Sequence, residues 1–335
     1  MPLLAAAPSS LCYLGTMIFR GIRAARVAML SCAFAPCVCA VTSTVWTGCS
    51  SSTNDVATAP DGSAEGAAPG DGGADVVTDG ASTADAADPA DAAPADHIGA
   101  IFAISDTTAA DGGAKSSYRA GASFTHVTSP DGTTQTKTVG PCIVEIIGDG
   151  PAAQETDLSA GPVHITGGSK AVDLTPKSDN TYAPSVGSTA LYNGGETLTV
   201  SGDGKDVPAF TTSLTAPSTI TLAAPVVTSG SLTVKRSTGV TATFSGASAG
   251  SVVLYFSATS STMAFALTCT FAATAGGGSI PAAAFADFPA GNGTFDFYVK
   301  QTSRVVVAPW DVRFTASKAV VDPAGIALAG DATFE

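Results

Sequence analysis

The sequence predicts an all-β protein: two tandem antiparallel β-sandwich domains, the second Ig-like, behind a signal segment and a disordered linker. Three observations carry this. From Ile98 onward no window shows the 3.6-residue apolar period of a full-length helix. Period-2 alternation recurs instead, as in Phe295, Phe297 and Val299 against Asp296, Tyr298 and Lys300. Between such runs lie closely spaced turn signals: Asp131-Gly132, Asp149-Gly150, Asn193-Gly194-Gly195, Asp203-Gly204 and Gly291-Asn292-Gly293. Thr-rich strands punctuated this often by Gly match the rhythm of a sandwich.

In chain order, the first 49 residues read as an export signal. Met17 makes a better start than Met1, because Arg20, Arg23 and Arg26 then precede an apolar run from Val27 to Val45. A basic flank, an apolar centre and small residues at the end are the anatomy of a secretory signal. An uncleaved membrane anchor is the alternative, since the run is almost long enough to span a bilayer. Pro36, the hydroxyl residues Ser31, Thr42, Ser43 and Thr44, and the lack of a basic stop-transfer flank count against it. Thr47-Gly48-Cys49-Ser50 resembles the bacterial lipobox, in which the cysteine is acylated and becomes the first residue; Trp46 departs from the Leu usual there. The resemblance implies lipidation of Cys49, and acyl chains would hold the protein to a membrane at about 0.8 kcal/mol per buried methylene. Ser50, where Asp could stand, resembles the outer-membrane sorting choice. The expected address is therefore the outer membrane, on its surface or periplasmic face, with plain secretion as second choice.

Residues 50–96 carry ten Asp or Glu and no Lys or Arg, and so supply most of the net charge of −13. They have no aromatic residue, and such a stretch buries too little apolar surface to offset chain entropy. It reads as a disordered acidic tether, averaging about 35–40 Å end to end. From His97 onward 18 acids face 12 bases, with no basic patch, which disfavours nucleic acid as a partner.

The folded part divides at the Pro-punctuated stretch from Ala216-Pro217 to Ala224-Pro225. This places one β-sandwich-like domain at 97–222 and an Ig-like one at 223–335. In the first, Leu198 and Val200 alternate with Thr197, Thr199 and Ser201. In the second, Val252 to Phe256 reads as a strand buried on both faces, and Trp310, Val312 and Phe314 alternate with polar neighbours. One short helical turn fits Pro281–Phe288, with Pro281 at its start and Pro289 ending it. Gly140-Pro141-Cys142, Gly194-Gly195-Glu196-Thr197, Val207-Pro208-Ala209-Phe210 and Cys269-Thr270-Phe271, followed by Ile280-Pro281-Ala282, resemble the uncharacterised lipoproteins common in myxobacteria. Those pair a lipobox and an Ala/Asp/Gly-rich linker with two β domains. The resemblance implies architecture and address, and no activity.

Candidate chemistry is sparse. Gly246-Ala247-Ser248-Ala249-Gly250 matches the GxSxG of a hydrolase elbow, but a strand follows it and all three histidines (His97, His126, His164) precede it. It reads as a hairpin turn. His126 and His164 have no ligand-spaced His or Cys beside them, and His164 reads as a half-buried strand residue, so no metal is expected. Asp203 with Asp206, and Asp179-Asn180, lack the ligand alternation of a calcium loop and read as Asx and hairpin turns. Tyr182 and Tyr192 lie in polar loop sequence and are the candidate contacts for a glycan or small ligand. Cys142 and Cys269 each fall on an apolar face. An exported protein could bridge them, but the domain seam separates them, so two buried free thiols are expected. No catalytic set and no cofactor emerges. The expectation is a non-enzymatic surface protein, structural or adhesive, held to the membrane through Cys49 and meeting an unknown protein or glycan. A glycan- or small-ligand-binding lipoprotein is the alternative.

Overall fold

The computed structural model describes residues 96–335, apart from 111–112, 130–132, 152 and 247. The signal segment, Cys49, the tether through residue 95 and the expected Asp131-Gly132 turn lie outside the described residues.

The described residues are all-β. In chain order the strands of the first half are β1 (His97–Ala110), β2 (Gly113–Ser129), β3 (Thr134–Val139), β4 (Cys142–Ile147), β5 (Gln154–Asp157), β6 (Val163–Thr166), β7 (Val172–Leu174), β8 (Ser185–Gly187), β9 (Thr197–Gly202) and β10 (Phe210–Thr215). The second half has β11 (Thr221–Ala224), β12 (Ser231–Val234), β13 (Val240–Ser245), β14 (Ser251–Thr259), β15 (Ala264–Ala272), β16 (Gly277–Ile280), β17 (Gly291–Val307), β18 (Trp310–Ala319) and β19 (Ala329–Phe334). One large sheet runs β3-β4-β15-β14-β17-β18-β1-β2-β5, with β19 also pairing β17 and β12, and β8 pairing β2. Two smaller sheets, β10-β9-β6-β7 and β11-β13-β16, complete the architecture. Most neighbours are antiparallel, as expected. The exceptions are β1 with β18 and β12 with β19, which run parallel.

Each small sheet shares a core with a different half of the large one. In the first core Val163, Ile165, Leu198, Val200 and Phe210 are buried with Ile101, Ala103, Phe124, Trp310, Val312 and Phe314. In the second, Leu222, Ala242, Phe244 and Ile280 are buried with Leu254, Phe256, Leu267, Phe295, Phe297 and Phe334. Strand β17 serves both. Its Phe295, Phe297 and Val299 enter the second core, while Val305 and Val307 pack against the first. At about 3.3 Å per residue, its 17 residues reach ~55 Å, long enough to underlie two lobes.

The seam expected between 222 and 223 therefore requires correction. There are two cores, but neither is built from a contiguous half of the chain. Strand β18, from the expected second domain, supplies Trp310, Val312, Phe314 and Ala316 to the first core. The β3–β4 hairpin, from the expected first domain, pairs through β4 with β15 and gives Cys142 and Val144 to the second. The Pro-rich stretch is the passage from β10 together with β11 itself, which pairs with β13. Proline reports on local backbone, whereas strand exchange is decided by pairing far along the chain.

The same exchange overturns the free-thiol expectation. Cys142 and Cys269 stand opposite each other across β4 and β15 and form a disulfide, with Cα atoms 4.0 Å apart and both residues fully buried. Other local expectations hold. Val252 to Phe256 are all buried, and a 3-10 turn at Ala282–Phe285 begins after Pro281 and buries Phe285. Gly291-Asn292-Gly293 is not a turn, however; it opens β17 and pairs with β19. A Cβ at Gly293 would stand 2.2 Å from the Ser257 carbonyl oxygen, so glycine serves close strand approach there.

The bridge closes a loop of 127 residues, which on the chain-entropy account corresponds to about 4–5 kcal/mol. Replacing both cysteines with alanine is expected to lower the unfolding free energy by about 3–5 kcal/mol in urea. Reductant should shift the parent protein the same way and leave the double variant unmoved. A parent midpoint that ignores reductant would contradict the bridge.

Candidate functional site

Tyr182 and Tyr192 are not available to a ligand. Both rings are buried, at 8% and 0% exposure, although their flanking sequence is polar. The Tyr182 hydroxyl donates to the Gly161 carbonyl at 2.7 Å and accepts from the Ala160 N–H at 3.0 Å, which pins the turn before β6. The Tyr192 hydroxyl donates to the Ser317 carbonyl at 2.5 Å, with the Ala103 carbonyl 3.3 Å away, between β18 and β1. Its own backbone is held by Ser105, whose hydroxyl accepts from the N–H groups of Leu191 and Tyr192. Burial pushes the Tyr192 phenol well above its ordinary range, with the Asp106 carboxylate adding to the effect. Both tyrosines are polar-tipped core residues, because a loop can read as polar and still turn its ring inward.

Ser248 lies in the connection between β13 and β14, but the expected hairpin turn requires correction. Strand β13 pairs with β11 and β16 while β14 pairs with β15 and β17, so the segment crosses from the small sheet to the large one. The Ser248 hydroxyl accepts from the Ser218 N–H at 2.9 Å and donates to the Ala249 carbonyl at 3.0 Å. In the two oxygen-rich loops the carboxylates are engaged, Asp179 locally in an Asx turn and Asp206 with a residue 47 positions away. Asp179 accepts from the N–H and hydroxyl of Thr181, and Asp206 accepts from the Ser159 N–H. The ammonium of Lys205 bridges toward the other loop, donating to Asn180 Oδ1 at 3.0 Å.

The histidines gave little signal in the sequence, yet each meets a carboxylate. His164 is a half-buried strand residue, as expected. Pairing of β6 with β7 sets it opposite Asp173, and Asp203 follows the end of β9 beside it. Its Nδ1 lies 2.7 Å from Asp173 and its Nε2 3.3 Å from Asp203. The Asp173 hydrogen bond, then Asp203, raise its pKa above the usual histidine value.

His97 and His126 are direct partners across the β1–β2 hairpin, with rings stacked at 4.1 Å and 14°. Asp96 Oδ1 is 2.7 Å from His97 Nδ1, and its Oδ2 is 3.8 Å from His126 Nε2. Trp310 meets the His97 ring edge-on at 5.1 Å. A sequence signal for this pairing existed: Asp111-Gly112 is a hairpin dipeptide, and folding about it sets position 97 opposite 126.

Elsewhere, charges are engaged in the scaffold. Buried Asp311 accepts from Arg304 Nε at 2.7 Å and Arg313 Nη2 at 2.8 Å. Lys318, 3% exposed, donates to the Asn193 carbonyl and sits over the Tyr192 ring. Asp296 stands opposite Tyr255 on β14, and burial, with a contribution from Asp106, pushes its carboxyl up to about 7.

The His164 cluster gives a pH expectation with a definite sign. A raised folded pKa means its stabilisation is fully present below about pH 6.5, the unfolded value, and is lost as pH rises through the folded one. The side chain is 36% exposed, so solvent screening holds the effect to about 1 kcal/mol or less. An NMR titration should show the His164 ring titrating above the unfolded value, and Asp173→Asn should bring it down. An unmoved titration in Asp173→Asn would contradict the pairing.

No protein-family model matches the chain, and neither a curated protein nor a solved structure matches it significantly.

Proposed function

We infer that this chain is an exported, lipid-anchored, non-enzymatic β protein with a structural or adhesive role, carried on an acidic tether from Cys49. The observation that carries the reading is the buried Cys142–Cys269 disulfide, because such bridges persist in oxidising compartments outside the cytosol. It adds to the basic flank, the apolar run and the lipobox-like Thr47-Gly48-Cys49-Ser50. The resemblance to myxobacterial lipoproteins points to the same address. The second lobe, with β11-β13-β16 sharing a core with β15-β14-β17, is proposed as Ig-like.

The non-enzymatic part rests on what the best candidates do. The Ser248 hydroxyl is engaged by the Ser218 N–H and the Ala249 carbonyl, and Asp311 is engaged by two arginines. The histidines lie on β1, β2 and β6, each facing a carboxylate. The glycan-binding alternative loses the residues that motivated it, since Tyr182 and Tyr192 are core.

The test is the intact mass of the native protein, extracted in detergent from its own cells. The expected mass begins at Cys49 and includes acyl chains, and Cys49→Ser should move the protein to the soluble fraction. A mass that corresponds to a cleaved chain without lipid would contradict the anchor.

A further inference from the structure

We propose that Asp96, His97 and His126 form a binding site for one divalent transition-metal ion, of the chemistry represented by Zn2+. The argument starts from register. Pairing in the β1–β2 hairpin sets His97 opposite His126, so two imidazoles leave the same face of the sheet side by side. The Asp96 carbonyl accepts from the Val127 N–H at 2.8 Å, extending the ladder by one residue and holding the third donor beside the pair. Its carboxylate then lies between the ring edges, at 2.7 Å from His97 Nδ1 and 3.8 Å from His126 Nε2.

All three donor atoms fall within 4.8 Å of one another. Tetrahedral coordination with bonds of about 2.0–2.1 Å needs donors roughly 3.3 Å apart. The remaining contraction, of order 1.5 Å, is within reach of side-chain rotation. Asp96 is 63% exposed and the two ring side chains 21% and 34%, so they can turn without disturbing the ladder. Trp310, 1% exposed, stands beside His97 as its partner on β18, edge-on to the ring, and limits how far His97 can move.

The donor set decides the class of ion. Two imidazole nitrogens and one carboxylate suit zinc and its first-row neighbours, whereas calcium and magnesium take mostly oxygen. A fourth position would face solvent and take water. The carboxylate can only accept, so His97 Nδ1 carries the proton they share. When Nδ1 takes the metal the ring changes tautomer, its proton passing to Nε2, so His97 stays a neutral ligand. An ion here would fasten residue 96, where the proposed tether ends, to strand β2.

The second histidine cluster supplies an internal control. His164 also lies between carboxylates, but it is the one histidine there, at the middle of the β6–β7 pair. The experiment uses the full chain in detergent, stripped with EDTA and carrying no histidine tag, titrated with ZnCl2 by calorimetry and with CoCl2 by visible absorption. One ion per chain is expected, with the visible bands of four-coordinate cobalt. His97→Ala and His126→Ala should each weaken binding by about 10–100-fold, and His164→Ala should leave it unchanged. Near-ultraviolet circular dichroism from Trp310 checks that each variant is folded, and His126→Gln serves as a milder variant that keeps side-chain bulk. Zinc affinity unaltered in the folded His97 and His126 variants would overturn the proposal, as would binding lost only in His164→Ala.

Discussion

The structure depends on the unbroken pairing of β17. Along its N-terminal part it is hydrogen-bonded to β14 and β19, and along its C-terminal part to β18. Residues of one alternation, from Phe295 to Val307, pass from one core to the other without leaving the strand. A break in that ladder would expose apolar surface in both lobes at once. At about 25 cal/mol per Å2 of buried apolar area, neither lobe could lose its share of the strand cheaply. The lobes are therefore better described as two ends of one sheet than as domains on a linker.

Long-range contacts reinforce this. Asp106 on β1 accepts from the Ala319 N–H on β18, 213 residues away. Tyr192 ties a loop between β8 and β9 to the same two strands. The disulfide fastens β4 to β15 on the other side of the sheet. A topology so dominated by distant pairing carries a high loop-closure cost and is slow to assemble. An oxidising compartment, where the bridge can form and persist, suits such a chain.

How much of this was legible follows from what local sequence records. Period-2 alternation marks half-buried strands and a short continuous apolar run marks a fully buried one, so β9, β17 and β18 were readable by the first signal and β14 by the second. The 3-10 turn after Pro281 was readable too, because proline at a helical start acts locally. Partnership was not. Nothing in Gly140-Pro141-Cys142 says that it will lie against Cys269, and the Pro-rich stretch at 216–225 suggested a boundary that would have kept them apart. Tyr182 and Tyr192 were misjudged for a related reason: polar neighbours describe the backbone's path, while ring burial depends on sheets assembled elsewhere. The His97–His126 pair lies between these cases. It depends on a local hairpin, so its register could be inferred, but the carboxylate of Asp96 matters only once both rings are seen to face it.

Differential scanning calorimetry of the disulfide-intact protein tests the shared-strand architecture most directly. If β17 joins both cores into one cooperative unit, residues 96–335 should unfold in a single transition whose calorimetric and van't Hoff enthalpies agree. Two resolved transitions, or a calorimetric enthalpy well above the van't Hoff value, would show that the lobes melt separately and that the strand does not bind them together.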